Sequence, residues 1–315
     1  MISQTKINEL TEKAKLIKKA LKSKLKNEKI LINILYSTNN SERQIIRTCY
    51  KRLYNKPIQN DIKEELSNNF KELCLSMFDT PYEYDARELY KTLNSNPIKF
   101  ENIAEIFCSR NKSHLNIVNQ AYELFFKKSL REDIQEKLTT KFNKFLLAIM
   151  DTPRREQKII YSNNDAYKLA KIIKEKNIQI LDDENLFKNI FLEKSREDLI
   201  LISRAFFELF EINLYDYINS IKDGQFEENN KKLIKGILFA NINPSEWFSE
   251  KLKKAINGLN TDYNQLNRII IYRSEIDLDI IKEYYLLNNG NELYTNFQSI
   301  TEDSYREALT ALCMK

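Results

Sequence analysis

The chain has 315 residues, a formal net charge of +5 and 42% apolar residues, but only four glycines and five prolines. So few helix-breaking residues exclude a fold rich in β-hairpins or glycine-rich phosphate loops, and they predict an all-α protein. No apolar run approaches the roughly 18 residues that cross a bilayer, and residues 1–10 lack the apolar core of a secretory signal. We therefore expect a soluble, cytosolic protein.

The sequence repeats internally, as the sequences of helical repeat proteins do. Residues 70–81 recur as residues 142–153, 72 positions later, with Phe, Leu and the triplet Asp-Thr-Pro at matching places. Within each unit the apolar residues follow helical spacing, and Asn, Ser, Lys and Pro separate them into about five short helices. We therefore predict an N-terminal tail followed by four helical repeats, with the bounds 1–13, 14–84, 85–164, 165–246 and 247–315.

The sequence carries no recognisable catalytic or metal-binding motif. Its four cysteines, Cys49, Cys74, Cys108 and Cys313, are widely spaced, and we expect them to be reduced thiols in the core. The single histidine, His114, has no second His or Cys at ligand spacing, and we expect it at the surface or at a helix cap. Without a glycine-rich phosphate loop or a nucleophile elbow, the sequence predicts a protein that is not an enzyme.

The most characteristic motifs lie in the last repeat. Gly-x-Asn-Thr-Asp at residues 258–262 precedes a helical stretch, and Arg-Ser-Glu-Ile-Asp-Leu follows at residues 273–278. Alone, the first pattern is typical of a turn that begins a helix, with Thr or Asp as the cap. Together with the four repeats and the Asp-Ala-x-x-Leu sequences at 85 and 165, these motifs resemble the annexin family over residues 14–315. In its low glycine content the chain is similar to divergent protist members such as the alpha-giardins.

The resemblance implies an all-α, annexin-like curved disc of four five-helix repeats. The loops between the first and second helices lie on its convex face, where they bind calcium and connect it to anionic phospholipid. A family calcium site combines the carbonyl oxygens of a Gly-x-Gly-Thr turn with a later carboxylate. Calcium takes about six to eight oxygen ligands, so a turn without its carboxylate binds the ion weakly.

The repeats keep different parts of that site. Repeat one has Glu65 at the carboxylate position, but Lys26 places a positive charge beside the turn and suits a phosphate better than calcium. Repeat two has Lys137 in place of the acid, and repeat three has Ile221 near that place. Asp223 begins an acidic turn in repeat three, which is either a minor calcium loop or a solvated turn.

Repeat four keeps the most complete turn. The backbone carbonyls of Ile256, Gly258 and Asn260 are candidate calcium ligands, because Asn tolerates the left-handed conformation nearly as well as Gly does. Ile300 stands where the carboxylate is expected. The acidic residues 182–184 of repeat three instead predict the N-cap and first turn of a helix. We therefore expect calcium, as the one candidate cofactor, to be bound weakly.

Charged residues suggest two further features. Lys22, Lys24 and Lys26 belong to the basic first repeat and are candidate lipid-binding residues, with a merely solvated lysine face as the alternative. A second set matches the polar channel of the family, and we favour an ion-pair network that fixes the docking of repeats two and four over ion transport. The residues of this set are Asp85, Glu88, Glu105, Arg110, Arg268, Arg273 and Asp277.

The function that these observations predict is peripheral binding to anionic phospholipid, with a calcium dependence that is degenerate, weak or partly lost. The alternative is a cytoskeleton-associated scaffold that uses the same fold as an interaction surface, with self-association left open. Nucleic acid is not an expected partner, because the basic excess is modest and no recognition helix or aromatic stacking platform is present. We expect the protein in the cytoplasm, peripheral at the plasma membrane or cytoskeleton.

Overall fold

The protein is described here by a computed structural model, which covers residues 3–23, 27–138, 141–153, 162–177, 180, 183–221, 228–258, 260–300 and 303–314. These residues form helices and the turns between them, with no β-strand among them. The prediction of an all-α protein is confirmed. The chain divides into two compact units, a terminal unit of residues 1–84 and 245–315 and a central unit of residues 85–244.

The first two predicted repeats each contain five helices within the described residues. The first, in the terminal unit, consists of Gln4–Lys22 (α1), Glu28–Ser37 (α2), Asn40–Tyr54 (α3), Ile58–Glu65 (α4) and Asn68–Met77 (α5). The second, mostly in the central unit, consists of Pro81–Leu93 (α6), Phe100–Ser109 (α7), Lys112–Phe126 (α8), Leu130–Lys137 (α9) and Lys141–Asp151 (α10).

The third and fourth predicted repeats follow the same order. The third, in the central unit, consists of Asn163–Lys176 (α11), Glu184–Phe187 (α12) with its π-helical continuation Lys188–Leu192, Arg196–Phe210 (α13), Leu214–Ser220 (α14) and Glu228–Ile242 (α15). The fourth, mostly in the terminal unit, consists of Pro244–Asn257 (α16), Tyr263–Arg273 (α17), Leu278–Asn289 (α18), a 3₁₀ helix Leu293–Ser299, and Asp303–Cys313 (α19).

Helix α1 begins ten residues earlier than the first repeat was predicted to begin, at Gln4. The hydroxyl of Ser3 caps it by accepting a hydrogen bond from the N–H of Lys6 at 3.2 Å. Leu10 is fully buried on the same face as Ala14, so the apolar stripe of the helix extends back into this segment. Residues 4–13, which the sequence analysis placed in a tail, therefore form the first half of α1.

The third helix of each of the first three repeats begins at a capping side chain. Asn39, Asn111 and Ser195 each accept a hydrogen bond from the backbone N–H three residues later. At Asn39 and Ser195 the acidic side chain at the third helical position also accepts from the N–H of the capping residue, which completes a capping box. This local signal fixes where each of these helices starts.

The third helix of each of the four repeats ends at a residue in the left-handed conformation. That residue is Asn55 (φ 50°) after α3, Lys127 (φ 57°) after α8, Glu211 (φ 55°) after α13 and Gly290 (φ 73°) after α18. A left-handed residue reverses the chain and lets its own N–H satisfy a carbonyl of the last turn. The four equivalent ends show that the repeats share one backbone design although only one of them uses glycine there.

The apolar faces of these helices make the core. Helix α1, for example, buries Leu10, Ala14, Ile17 and Leu21, which follow one another at three- or four-residue spacing. The four cysteines are buried and form no disulfide, as the sequence predicts. Among the described residues, no helix is long and apolar enough to cross a membrane.

The cap of α13 provides a test of how the third repeat is held. Ser195 and Asp198 are fully buried, so Ser195→Ala leaves the Asp198 N–H without its acceptor and without access to water. We expect this change to lower the free energy of unfolding by about 1–2 kcal/mol. The matched change Ser129→Ala, at the exposed capping box of α9, is expected to cost about 0.5–1 kcal/mol. Urea unfolding of both variants measures the difference, and equal losses would contradict the role given to burial.

Candidate functional site

The predicted calcium and lipid residues that the structure describes lie at or just after the ends of the first and fourth helices of the repeats. Lys22 is the last residue of α1, Glu65 is the last residue of α4, and Gly258 directly follows α16. Three of the predicted residues lie outside the part of the chain that the structure describes and stay predictions: Lys24, Lys26 and Asp223.

In repeat one, the candidate lipid residue Lys22 and the candidate calcium ligand Glu65 contact each other. Nζ of Lys22 lies 2.6 Å from Oε1 of Glu65, 3.3 Å from Oε2 of Glu64 and 3.5 Å from Oδ1 of Asp61. The hydrogen bond to Glu65 is the main reason that the pKa of Lys22 lies above its usual value. The ammonium group therefore holds the carboxylate that a calcium ion would require.

Asp61, beside this pair, is a fully buried carboxylate. Its Oδ2 accepts hydrogen bonds from Nζ of Lys18 at 2.7 Å and from the hydroxyl of Tyr50, and its Oδ1 pairs with Lys56. Burial by itself raises the pKa of Asp61, but the bonds from Lys18, Lys56 and Tyr50 outweigh it and hold the pKa well below its usual range. Asp61 is thus an anion that is neutralised inside the repeat.

Repeat two contains the same cluster 72 positions later. The hydroxyl of Tyr122 donates to Oδ2 of buried Asp133 at 2.5 Å, and Nζ of Lys128 lies 2.7 Å from Oδ1. Burial raises the pKa of Asp133, and the bonds from Lys128, Tyr122 and Lys137 again outweigh it and lower the pKa. The sequence repeats this aspartate at the same period of 72 residues, but it does not reveal the ion pairs.

A further ammonium group lies beside the buried aspartate in both repeats, but it comes from a different helix in each. In repeat one the ammonium of Lys22 comes from the end of α1 and meets Glu65 at the end of α4. In repeat two the equivalent positions hold Asn94 and Lys137, and Nζ of Lys137 donates to Oδ1 of Asn94 at 2.7 Å. Nζ of Lys137 also lies 3.3 Å from Oδ2 of Asp133. An ammonium group therefore occupies the same place in both repeats, although opposite helices supply it.

Repeats three and four also bring a basic side chain to the position of the acid. Ile221, near that position in repeat three, accepts a hydrogen bond at its carbonyl oxygen from Nζ of buried Lys231 at 2.6 Å. Ile300, at that position in repeat four, accepts one at its carbonyl oxygen from Nη1 of Arg306 at 2.9 Å. Both isoleucine side chains are buried and supply no carboxylate.

The turn of repeat four is held by backbone contacts. The N–H of Gly258 donates to the carbonyl oxygen of Lys254 at 3.1 Å, and the N–H of Asp262 donates to that of Ala255 at 2.8 Å. A Cβ atom at position 258 would lie 3.1 Å from the carbonyl oxygen of Lys254 and 3.4 Å from that of Asn260. The close approach of these oxygens, and not a left-handed backbone, is what favours glycine here.

Two helix caps account for other acidic residues of these loops. The side chain of Asp262 accepts from the N–H of Gln265 at 3.0 Å and caps α17. The side chain of Asp183 accepts from the N–H of Leu186 at 3.0 Å and caps α12, as the sequence predicts. Both carboxylates thus have a structural task at a helix start.

The described residues do not fit a complete family calcium site. Glu65 is paired with an ammonium group, position 137 is a lysine, and the equivalent residues of repeats three and four are Ile221 and Ile300. Repeat four offers backbone carbonyls near Gly258, with Ile256 in the last turn of α16, but without the acid. In the part of the chain that the structure describes, no three His, Cys, Asp or Glu side chains are grouped to hold a metal.

The predicted ion-pair residues form one bidentate pair in the central unit. Nε and Nη2 of Arg110 donate to the two oxygens of Asp85 at 2.7 and 3.1 Å, and Nε2 of His114 lies 2.8 Å from Oδ2 of Asp85. Burial raises the pKa of Asp85, but the charge of Arg110 and the hydrogen bond with His114 outweigh it, so the pKa is lowered. Glu88 and Glu105 are buried in the same unit.

A second pair of this set lies in the terminal unit. Nε of Arg273 donates to Oδ1 of Asp277 at 2.6 Å, and the hydroxyl of Ser245 donates to Oδ2 of Asp277 at 3.0 Å. The guanidinium of Arg273 also lies 4.6 Å from the centre of the Phe248 ring. Arg268 is buried in the same unit. The contribution of these pairs to the docking of repeats remains a prediction.

Sequence reasoning missed two polar contacts. His114, expected at the surface or a cap, is largely buried against Asp85. Arg43 is buried, donates to the carbonyl oxygen of Met77 at 2.8 Å, and pairs with Glu275 of repeat four at 2.8 Å within the terminal unit. The Arg-Ser-Glu motif was recognised in the sequence, but nothing in the sequence links residues 232 positions apart.

Comparisons with known sequences agree on one family. The sequence model described as Annexin matches residues 12–77, 84–149 and 248–312. Annexin A3 of Homo sapiens is 31% identical over 301 residues, which cover 95% of this chain and 92% of that protein. Annexin A4 of Canis lupus familiaris is 29% identical over 306 residues, which cover 96% and 94%. The family model matches no residue of the third predicted repeat, 165–246.

Solved structures show the same fold. A structure titled annexin III superposes with a TM-score of 0.87 and 28% identity, covering 97% of this chain and 94% of that one. The calcium-bound structure of alpha-14 giardin superposes with a TM-score of 0.78 at 13% identity, covering 97% and 99%. The giardin likeness, at that identity, concerns the fold alone.

The buried carboxylate of repeat two predicts a pH-dependent contribution to stability. The lowered pKa of Asp133 means that its stabilisation is full above the unfolded value of about 3.9 and is lost as the pH falls through the folded value. We expect Asp133→Asn to lower the free energy of unfolding by about 2 kcal/mol at pH 7 and by much less at pH 3. Thermal unfolding at both pH values tests this.

Glu136→Gln is the matched control for that change. Glu136 is exposed and pairs with the same Lys128, so its loss should change the free energy of unfolding by less than about 0.5 kcal/mol at either pH. A deficit of the Asp133 variant that stays constant from pH 7 to pH 3 would contradict the assignment of a buried, ionised carboxylate.

Proposed function

Because the chain belongs to the annexin family, we propose that it binds anionic phospholipid surfaces with a calcium dependence that is weak or partly lost. The family membership and the annexin fold confirm the resemblance found in the sequence. Annexins are non-enzymatic proteins that bind calcium and phospholipid and attach peripherally to membranes. What is specific to this chain is the reduced contribution of the metal.

The residue at the carboxylate position of each repeat carries this proposal. A calcium ion in a shallow turn needs that acid, because backbone carbonyls alone leave the charge of the ion uncompensated. In repeat one this acid, Glu65, is paired with Lys22. In repeats two, three and four the position of the acid is occupied by Lys137, Ile221 and Ile300. A metal at repeat one has to displace an ammonium group from Glu65 before it can bind.

Repeat four retains the turn most suited to a weak site. The carbonyl oxygens of Lys254 and Asn260 lie close to Gly258, and those of Ile256, Gly258 and Asn260 are the candidate ligands in the proposal. Asp223 stays the candidate for a minor site in repeat three. In both places calcium has only an accessory role.

The basic first repeat can attract an anionic membrane, but less strongly than its number of lysines and arginines suggests, because several of them are paired with acids. Residues 1–84 hold 16 Lys and Arg against 10 Asp and Glu. Lys15, Lys18 and Lys22 pair with acidic side chains of the same repeat, whereas Lys19 and Lys29 are exposed. Lys24 and Lys26 remain candidate lipid contacts in the proposal. Each basic residue near an anionic surface contributes about 1 kcal/mol.

The proposed location is the cytoplasmic leaflet, whose anionic lipids carry the negative surface potential that such residues need. A scaffold attached to the cytoskeleton, with or without self-association, is the alternative function. No contact of the described residues favours that alternative, and it enters as an outcome of the experiment.

Sedimentation with phosphatidylserine vesicles tests the proposal. We expect binding in the presence of a calcium chelator at low salt, lost as salt screens the charges, with calcium adding a smaller increment. Phosphatidylcholine vesicles are the control and should not bind. In Gly258→Pro, whose turn is broken, we expect the calcium increment to disappear while chelator-resistant binding remains.

Three outcomes would contradict all or part of the proposal. Binding that requires calcium entirely and resists salt would contradict the reduced role of the metal. An unchanged calcium increment in the Gly258 variant would exclude repeat four as its source. Failure to bind phosphatidylserine in any condition would contradict lipid binding and favour the scaffold.

A further inference from the structure

We propose that repeat two binds a phosphate group directly through Lys137, at the place where annexins use calcium to do so. This inference rests on the proposed function and assigns the ligand of one repeat. It follows from the reversal of charge between repeats one and two, where Lys22 and Glu65 are replaced by Asn94 and Lys137.

The two ammonium groups occupy equivalent places. Nζ of Lys22 lies 3.5 Å from the buried Asp61, and Nζ of Lys137 lies 3.3 Å from the equivalent Asp133. Each also contacts the residue 43 positions away on the neighbouring helix, at 2.6 Å for Glu65 and 2.7 Å for Asn94. A cation is therefore kept at this point whichever helix supplies it.

The two groups differ in how fully they are neutralised. The three N–H bonds of the Lys22 ammonium have three carboxylates within reach, those of Glu65, Glu64 and Asp61. Lys137 meets one neutral amide and one carboxylate. That carboxylate, of Asp133, is already engaged by Lys128 and Tyr122. The charge of Lys22 is thus balanced by carboxylates of its own repeat, whereas Lys137 keeps positive charge and hydrogen-bonding capacity for an external ligand.

The surroundings position Lys137 and leave its side chain partly exposed. Its ammonium lies 5.7 Å from the ring centre of Tyr90, which replaces Lys18 of repeat one. Its side chain is 24% exposed, and Asn94 stands exposed at the start of the loop to α7. In the family, the loop between the first and second helices is the one that faces lipid. A fixed ammonium beside that loop suits the phosphate oxygens of an anionic headgroup.

Two charged neighbours in sequence and structure have other partners. Glu136 is 66% exposed and pairs with Lys128. Lys91, one turn before Asn94 on α6, is 53% exposed and lies 3.9 Å from Glu88. Lys91 therefore offers a local control, because it carries the same charge in the same repeat without the contacts of Lys137.

The test measures vesicle binding by the full chain in calcium chelator. For Lys137→Gln we expect about fivefold weaker partition onto phosphatidylserine vesicles, and for Lys91→Gln less than a twofold change. The double variant Asn94→Lys/Lys137→Glu rebuilds the pair of repeat one and removes the same net charge. It should keep the unfolding temperature of the native protein and lose binding about fivefold, which separates a binding effect from misfolding.

Inorganic phosphate, titrated calorimetrically without calcium, distinguishes a lipid headgroup from free phosphate as the source of the group. Heat that depends on Lys137, without chelator-resistant vesicle binding, would keep the phosphate site and assign it to a free anion. Equal losses for Lys91→Gln and Lys137→Gln would overturn the site in favour of general surface charge. If Lys137→Gln binds both probes as the native chain does, the inference is wrong, while calcium-dependent vesicle binding would still uphold the family function.

Discussion

A buried carboxylate remains ionised only when cations and hydroxyl groups replace the water that it has lost. Asp61 and Asp133 satisfy this condition in the same way, each with a tyrosine from the third helix and a lysine from the turn that follows it. One charge thereby joins the third and fourth helices of a repeat. In repeat one it also recruits Lys18 and so joins the first helix.

The same buried carboxylates lie next to the positions where the sequence predicts acidic calcium ligands. The carboxylate holds a further ammonium group close to the loop, and that group lies where the acidic calcium ligand would act. In repeat one the acid survives as the partner of Lys22, and in repeat two it has been replaced by Lys137. Buried isoleucines at the same position in repeats three and four remove the acid altogether. The lost carboxylates thus fit a chain that keeps its own positive charge at these loops.

The period of 72 residues, the five helices of a repeat and the family were predictable from local patterns, because helical spacing and the motifs at residues 258–278 are readable in single segments. The Asp183 cap was predictable for the same reason. The contact of Lys22 with Glu65 was not, since both residues had plausible separate roles and lie 43 positions apart. His114 was misplaced because its partner Asp85 is 29 positions away and burial is a property of the assembled helices. The tail was misjudged because α1 begins before the repeat pattern does.

The left-handed residues that end the third helices have a consequence for the composition of the chain. A side chain in this conformation costs about 1 kcal/mol relative to glycine, and asparagine bears it better than lysine or glutamate. Lys127 and Glu211 adopt it all the same, and among these four ends only Gly290 avoids the strain. The scarcity of glycine, which first identified the chain as helical, is thus matched by stored strain at two helix ends. Replacing Lys127 or Glu211 by glycine would relieve this strain and thereby stabilise repeats two and three.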